Sequence, residues 1–239
     1  MSQAPAVRLQ WGARLAQWAR ALLFAWVGWL VLSTFVVQAF HVTSESMEGT
    51  LFAGDVLFVA RPLYGADVPL TGMRLPAIRE PRHGDLVVFG SVETPGLEVV
   101  KRVIGLPGDT LASQAGRLAL NGVAVAEPYA VHARPEMPDP PSSREQMRAW
   151  QEPRLAGSHP VPYRPDRDNW GPMVVPAESL FVMGDNRDFS YDGRYWGFLP
   201  QRNLHGSPFV IYYSFDPASW RPLPVLTATR WHRLFTLPR

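Results

Sequence analysis

The chain has 239 residues, 46% hydrophobic and only 18% charged, which excludes a disordered acidic chain and suits one large domain or a domain with an appendage. It has no cysteine, so thiol catalysis, disulfides and Cys-ligated metals are excluded. Its net charge of +2 comes from Arg8, Arg14 and Arg20 in an acid-free start, so the remainder is nearly neutral and no basic face for nucleic acid is expected.

Residues 1–20 read as a basic tail, and residues 21–40 carry no charge at all. As a helix, twenty residues span roughly 30 Å, the thickness of a bilayer's hydrocarbon core. The three arginines on one side predict a cytoplasmic N-terminus, with everything beyond residue 41 on the other face. A cleavable signal peptide shares the basic start, but its apolar core is usually about 7–15 residues, so an uncleaved anchor is favoured.

Beyond the span, DVLFVA, DLVVFG, EVVKRVIG, SLFVMG and SPFVIYYSF are short β-branched and aromatic runs bounded by Gly and Pro. They predict a β-rich domain over 41–239, in which 24 prolines fit edges and turns. Residues 127–172 are Pro-rich, with a helical piece near 143–150, and read as an irregular insertion outside the core. The expected fold is mainly β: one transmembrane helix, then an extracytoplasmic β-rich domain carrying that insertion.

Three clusters bear chemistry, at residues 44–51, 101–109 and 184–194. Taken singly, they contain ordinary turn formers. Lys101 is less ordinary, being the only lysine in a chain whose other basic residues are all arginine. Arginine stays charged at any biological pH, whereas burial can neutralise a lysine and let it accept a proton. On a strand, Lys101 shares its face with Val99 and Val103 while Arg102 points the other way, and an apolar face lowers an amine's pKa.

Together the clusters resemble the bacterial type I signal peptidases, membrane-bound Ser/Lys endopeptidases. Residues 44–51 are similar to that family's Ser-x-Ser-Met-x-Pro-Thr-Leu, with Gly49 in place of the proline. Residues 101–109 match Lys-Arg-x-x-Gly-x-Pro-Gly-Asp in full, and residues 184–194 match Gly-Asp-Asn-Arg-x-x-Ser-x-Asp-Ser-Arg except that Gly193 replaces the last serine. The resemblance implies Ser46 as nucleophile, Lys101 as general base and Ser44 as oxyanion donor. It further implies that Ser190 orients the amine, that Asp192 acts through Ser190, and that Asp185 and Arg194 form a structural ion pair. Val42, Leu51 and Val100 adjoin these residues and are expected to wall the substrate pockets. The implied substrate is an exported preprotein with small residues at the first and third positions before the cut. The implied setting is the inner (plasma) membrane, with the protein acting as a monomer and without a metal or other cofactor. A Ser-His-Asp site using His41 or His83 with Asp85 is the enzymatic rival, but no Gly-x-Ser-x-Gly elbow accompanies it.

Overall fold

The computed structural model describes residues 5–31, 37–65, 73–157 and 162–238. It opens with helix α1 (Pro5–Val31), followed by strand β1 (Val37–His41). β1 pairs antiparallel with β2 (Asp55–Ala60), from Val37 opposite Ala60 to His41 opposite Val56. The helix expected over 21–40 is therefore corrected at its end. Residues 37–40 are strand, residues 32–36 lie outside the described residues, and among those described no helix is long and apolar enough to cross a membrane. Hydropathy cannot distinguish a span from a buried strand. Here Phe40 is buried in the core with Val42, Met47 and Leu51, and that burial favours the sheet.

The main sheet has seven strands in the order β1-β2-β11-β3-β4-β9-β10. Its other members are β3 (Leu86–Gly90), β4 (Glu98–Gly105), β9 (Ser179–Met183), β10 (Leu199–Pro200) and β11 (Leu204–Ser214). Every pairing is antiparallel. β11 bridges β2 and β3, and register shifts around Pro208 and Ile211 accommodate a proline that could not complete a regular central ladder. A second antiparallel sheet, in the order β7-β6-β5-β8, contains β5 (Thr110–Gln114), β6 (Arg117–Leu120), β7 (Val123–Ala124) and β8 (Trp170–Val174).

The insertion is not outside the core. Its helix α2 (Pro141–Gln151) buries Met147 and Gln151, spaced four apart and hence on one face. Met147 joins Trp170, Leu111 and Phe181 in a single apolar cluster, so the insertion contributes to the packing between the two sheets. Helix α3 (Gly193–Trp196) begins at the end of the third chemistry-bearing segment and precedes β10.

Candidate active site

After β1 the chain turns so that the Thr50 and Leu51 amides donate to the Met47 carbonyl at 3.1 and 2.8 Å. Met47 and Leu51 are wholly buried, which anchors this turn and fixes Ser46 at its head. On β4, Val100 and Lys101 point to opposite faces: Val100 into the core with Val42 and Leu51, Lys101 beside the Val99–Val103 side. Lys101 Nζ lies 2.5 Å from Ser46 Oγ, and both residues are buried, at 3% and 7% exposure. Burial is the main cause that pushes the amine down to about 8; Asp192 and Asp185 pull it up, and Arg194 opposes them.

The carboxylates are paired differently from the expected Asp185–Arg194 bridge. Asp185 takes Arg102, whose Nε and Nη2 donate to its two oxygens at 2.8 and 2.6 Å, and Thr50 Oγ1 donates to it at 2.5 Å. Arg194 pairs with Asp192 at 2.9 Å through both Nε and Nη2. The reason is local. Asp192 caps the first turn of α3, two residues before Arg194, whereas Arg102 extends across the β4–β9 ladder towards the end of β9. Asp192 is completely buried. Burial alone would raise its pKa, but Arg194 and the Gly184 amide hold it below the usual carboxylate range. Its charge is thus largely committed to Arg194, which limits its pull on the lysine.

Among the described residues no hydrogen-bond partner meets the buried Ser190 Oγ, so the expected bond to the lysine is not formed. The hydroxyl lies near enough to Asp192 to help keep that carboxyl ionised. Ser44 Oγ sits 3.2 Å from Ser46 Oγ on the exposed side of the turn. His41 stacks on Phe215 and His83 pairs with Asp109, while the hydrogen bonds of Ser46 Oγ go to Ser44 and Lys101, so neither histidine completes a triad.

A cavity of about 320 Å³ opens over Ser44, Ser46 and Lys101. Val42, Leu51 and Val100 do not line it; they are core residues beneath the site. Its walls come from β3 and β4 (Phe89, Val99), from the hairpin between them, and from Phe189, Tyr191 and Trp196 near α3. Aromatic residues in the third motif and its continuation were the available signal for these walls.

The profile described as "Signal peptidase, peptidase S26" matches residues 15–213. The chain belongs to the peptidase S26 family. It is 34% identical over 213 residues to signal peptidase I of Pseudomonas aeruginosa, covering 82% of this chain and 71% of that one. Against signal peptidase I of Aquifex aeolicus it is 30% identical over 234 residues, covering 84% and 86%. A crystal structure of a signal peptidase I from Enterococcus faecalis is 27% identical, with a TM-score of 0.37 over 55% of this chain and 98% of that one. Membership makes the protein a hydrolase of the signal-peptidase type.

Two positions set this S26 peptidase apart from the motifs quoted above. Gly49 has φ +97, a value closed to proline's ring, and a Cβ there would meet Val131 Cγ2 at 2.7 Å. A serine at Gly193 would bring its Cβ within 2.8 Å of the Val182 carbonyl. The turn after Ser46 and the start of α3 are therefore built around glycine in this member.

Proposed function

We propose that this peptidase is a membrane-anchored serine endopeptidase that removes signal peptides from exported preproteins, with Ser46 as nucleophile and the neutral Lys101 amine as base. The contact between Nζ and Oγ carries the proposal, because no other hydrogen bond competes for the amine among the described residues. With Lys101 neutral, the Ser46 hydroxyl donates its proton to Nζ as Oγ attacks the scissile carbonyl. The Ser44 hydroxyl and the Ser46 amide donate to the resulting oxyanion. Collapse of the intermediate breaks the peptide C–N bond, the lysine ammonium gives its proton to the leaving amine, and the acyl-enzyme remains. Water, deprotonated by the same amine, then hydrolyses the ester and regenerates Ser46. Asp192 tempers the lysine, and the Ser190 hydroxyl helps keep that carboxyl ionised.

The substrate lies as an added strand. β4 pairs with β3 from Glu98 onward, but β9 joins its other side only at Arg102, which leaves the Glu98–Lys101 edge open beside the cavity. Small residues at the first and third positions before the cut fit that close backbone approach. The exposed apolar side chains of α1, among them Trp18, Phe24, Trp26 and Trp29, support an anchor in the plasma membrane. The N-terminus is cytoplasmic and the catalytic domain lies beyond the opposite face, acting as a monomer.

Purified full-length protein in detergent should cleave a preprotein, and both Ser46→Ala and Lys101→Arg should abolish cleavage with the fold retained. Full activity in either variant refutes the dyad. Ser44→Ala should lower kcat about 10²–10³-fold with KM little changed. Protease added to the outer face of membranes should spare residues 1–20 and digest residues 41–239; protection of the C-terminal region refutes the orientation.

A further inference from the structure

The cavity over Ser46 is lined by uncharged side chains apart from Lys101 and Glu93. Glu93 belongs to the hairpin loop between β3 and β4, and that loop is itself held in shape. The Ser91 hydroxyl accepts from the Glu93 and Thr94 amides at 3.3 and 3.1 Å, and the Ser91 amide donates to the Leu97 carbonyl at 2.8 Å. The side chain is held too. Tyr191 OH donates to Glu93 Oε1 at 2.9 Å, and Gln146 Nε2 donates to Tyr191 OH at 2.6 Å and to Glu93 Oε1 at 3.4 Å. Three separate parts of the chain therefore fix one oxygen of this carboxylate: the hairpin, the segment before α3, and helix α2 of the insertion. No hydrogen bond or ion pair engages Oε2 among the described residues.

The charges that act on Lys101 are Asp192, Arg194 and Asp185. A fixed carboxylate in the groove, unpaired by any cation and outside the dyad, has binding left as its role.

We infer that Glu93 is a cation-accepting subsite, one that selects an arginine or lysine side chain on the bound peptide within a few residues of the scissile bond. This inference rests on the peptidase reading, since the occupant is the same extended peptide that reaches Ser46. The chemistry is charge-assisted hydrogen bonding to Oε2, with Oε1 already satisfied, so little ordering of the acceptor is needed on binding. Tyr191 is a positioning residue, acting through Glu93. The groove is open to solvent, which limits the effect: a charge pair of this kind is worth about two- to fivefold in affinity, and repulsion of a like charge widens the Arg/Glu ratio further.

The test uses peptides with alanine at the first and third positions before the cut and a single Arg, Gln or Glu moved through the eight positions around it. Their Kd values are measured by fluorescence anisotropy on full-length Ser46→Ala protein, and kcat/KM is measured on the protein with Ser46 intact. At one position or an adjacent pair, Arg peptides should bind three- to tenfold more tightly than their Glu counterparts. In Glu93→Gln that ratio should fall to about one, in Glu93→Arg it should invert, and in Tyr191→Phe it should be reduced. A purely structural Glu93 would alter binding of all peptides alike and leave the Arg/Glu ratio unchanged; that result overturns the subsite, as does a ratio near one at every position. Binding does not depend on turnover. Absence of cleavage with the charge ratio intact defeats the peptidase reading alone, and cleavage without a charge ratio defeats the Glu93 subsite alone.

Discussion

Replacing Lys101 with methionine should destroy activity and at the same time stabilise the protein at neutral pH. Burial takes the amine from its ordinary 10.5 to about 8, and each unit is worth about 1.36 kcal/mol, so the folded state below pH 8 carries a cost of about 3 kcal/mol for that proton. Methionine has similar length, carries no charge and suits the apolar side of β4. It also forfeits the Nζ–Oγ hydrogen bond, worth about 1 kcal/mol. The net expectation at pH 7 is a variant more stable by about 2 kcal/mol. The sign reverses with pH. Between about 8 and 10.5 the unfolded chain binds a proton that the folded chain does not, so the original protein gains stability as pH rises and loses it again as pH falls. Near pH 10.5 it should match or exceed the variant. Urea unfolding of both proteins in micelles at pH 7 and pH 10 measures this, and a shift of about 1 M in midpoint is expected at pH 7. Tyr64 and Tyr195 have hydroxyls raised by burial and will weaken both proteins at high pH, but they cancel in the difference. A variant less stable at pH 7, with a difference independent of pH, would refute the view that Lys101 is held against its charged form.

The same lowered amine predicts an acid limb in kcat/KM with an apparent pKa of about 8, leaving roughly a tenth of the plateau rate at pH 7; a flat profile from pH 6 to 9 contradicts it. Gly184→Ala would place a Cβ 2.2 Å from Ser190 Oγ and 2.4 Å from the Ser46 carbonyl oxygen, so kcat should fall about 100-fold as the nucleophile is displaced, and a kcat within twofold of the original refutes that contact. Asp185→Asn leaves the buried Arg102 guanidinium without its counter-charge and should cost about 3 kcal/mol of stability; an unchanged thermal melt refutes it.

Five of the seven strands of the main sheet were legible because β-branched and aromatic residues fill them, whereas β1 was hidden in the apolar run read as a helix and β10 has only two residues. EVVKRVIG is β4 from end to end, and DVLFVA is β2. The second sheet was not legible, since TLASQ and RLAL carry little β signal and are held as strands by each other and by Trp170. The buried face of α2 escaped notice among prolines for a related reason: Met147 and Gln151 become core residues only when Trp170 and Phe181 are brought against them by distant parts of the chain. At the site, the resemblance to the signal peptidases brought Ser46 and Lys101 forward as a pair, and the uniqueness of the lysine agreed with it. Ion-pair partners were harder to read, because Arg102 and Arg194 are both near and chemically equivalent. Only the β4–β9 register and the cap of α3 decide which carboxylate each arginine meets. Of the groove walls only the aromatics of the third motif and its continuation left a signal, because the walls are assembled from three separated segments.

Asp185 meets Thr50, 135 residues earlier, and Arg102, 83 residues earlier, while Arg102 Nη2 also donates to Thr50 at 3.2 Å. The Asp185 carbonyl accepts the Val131 amide at 2.7 Å as well. One residue therefore ties together all three motif segments and the edge of the insertion, through its carboxylate to Thr50 and Arg102 and its backbone carbonyl to Val131. Exchange of any single segment between relatives becomes an epistatic event, because its partners on the other two were fitted to the original. A graft of Ser46 and Lys101 onto a foreign sheet would carry the reacting atoms and leave their spacing undefined. In this peptidase the contact between Ser46 and Lys101 is backed by a three-way clamp of Thr50, Arg102 and Asp185.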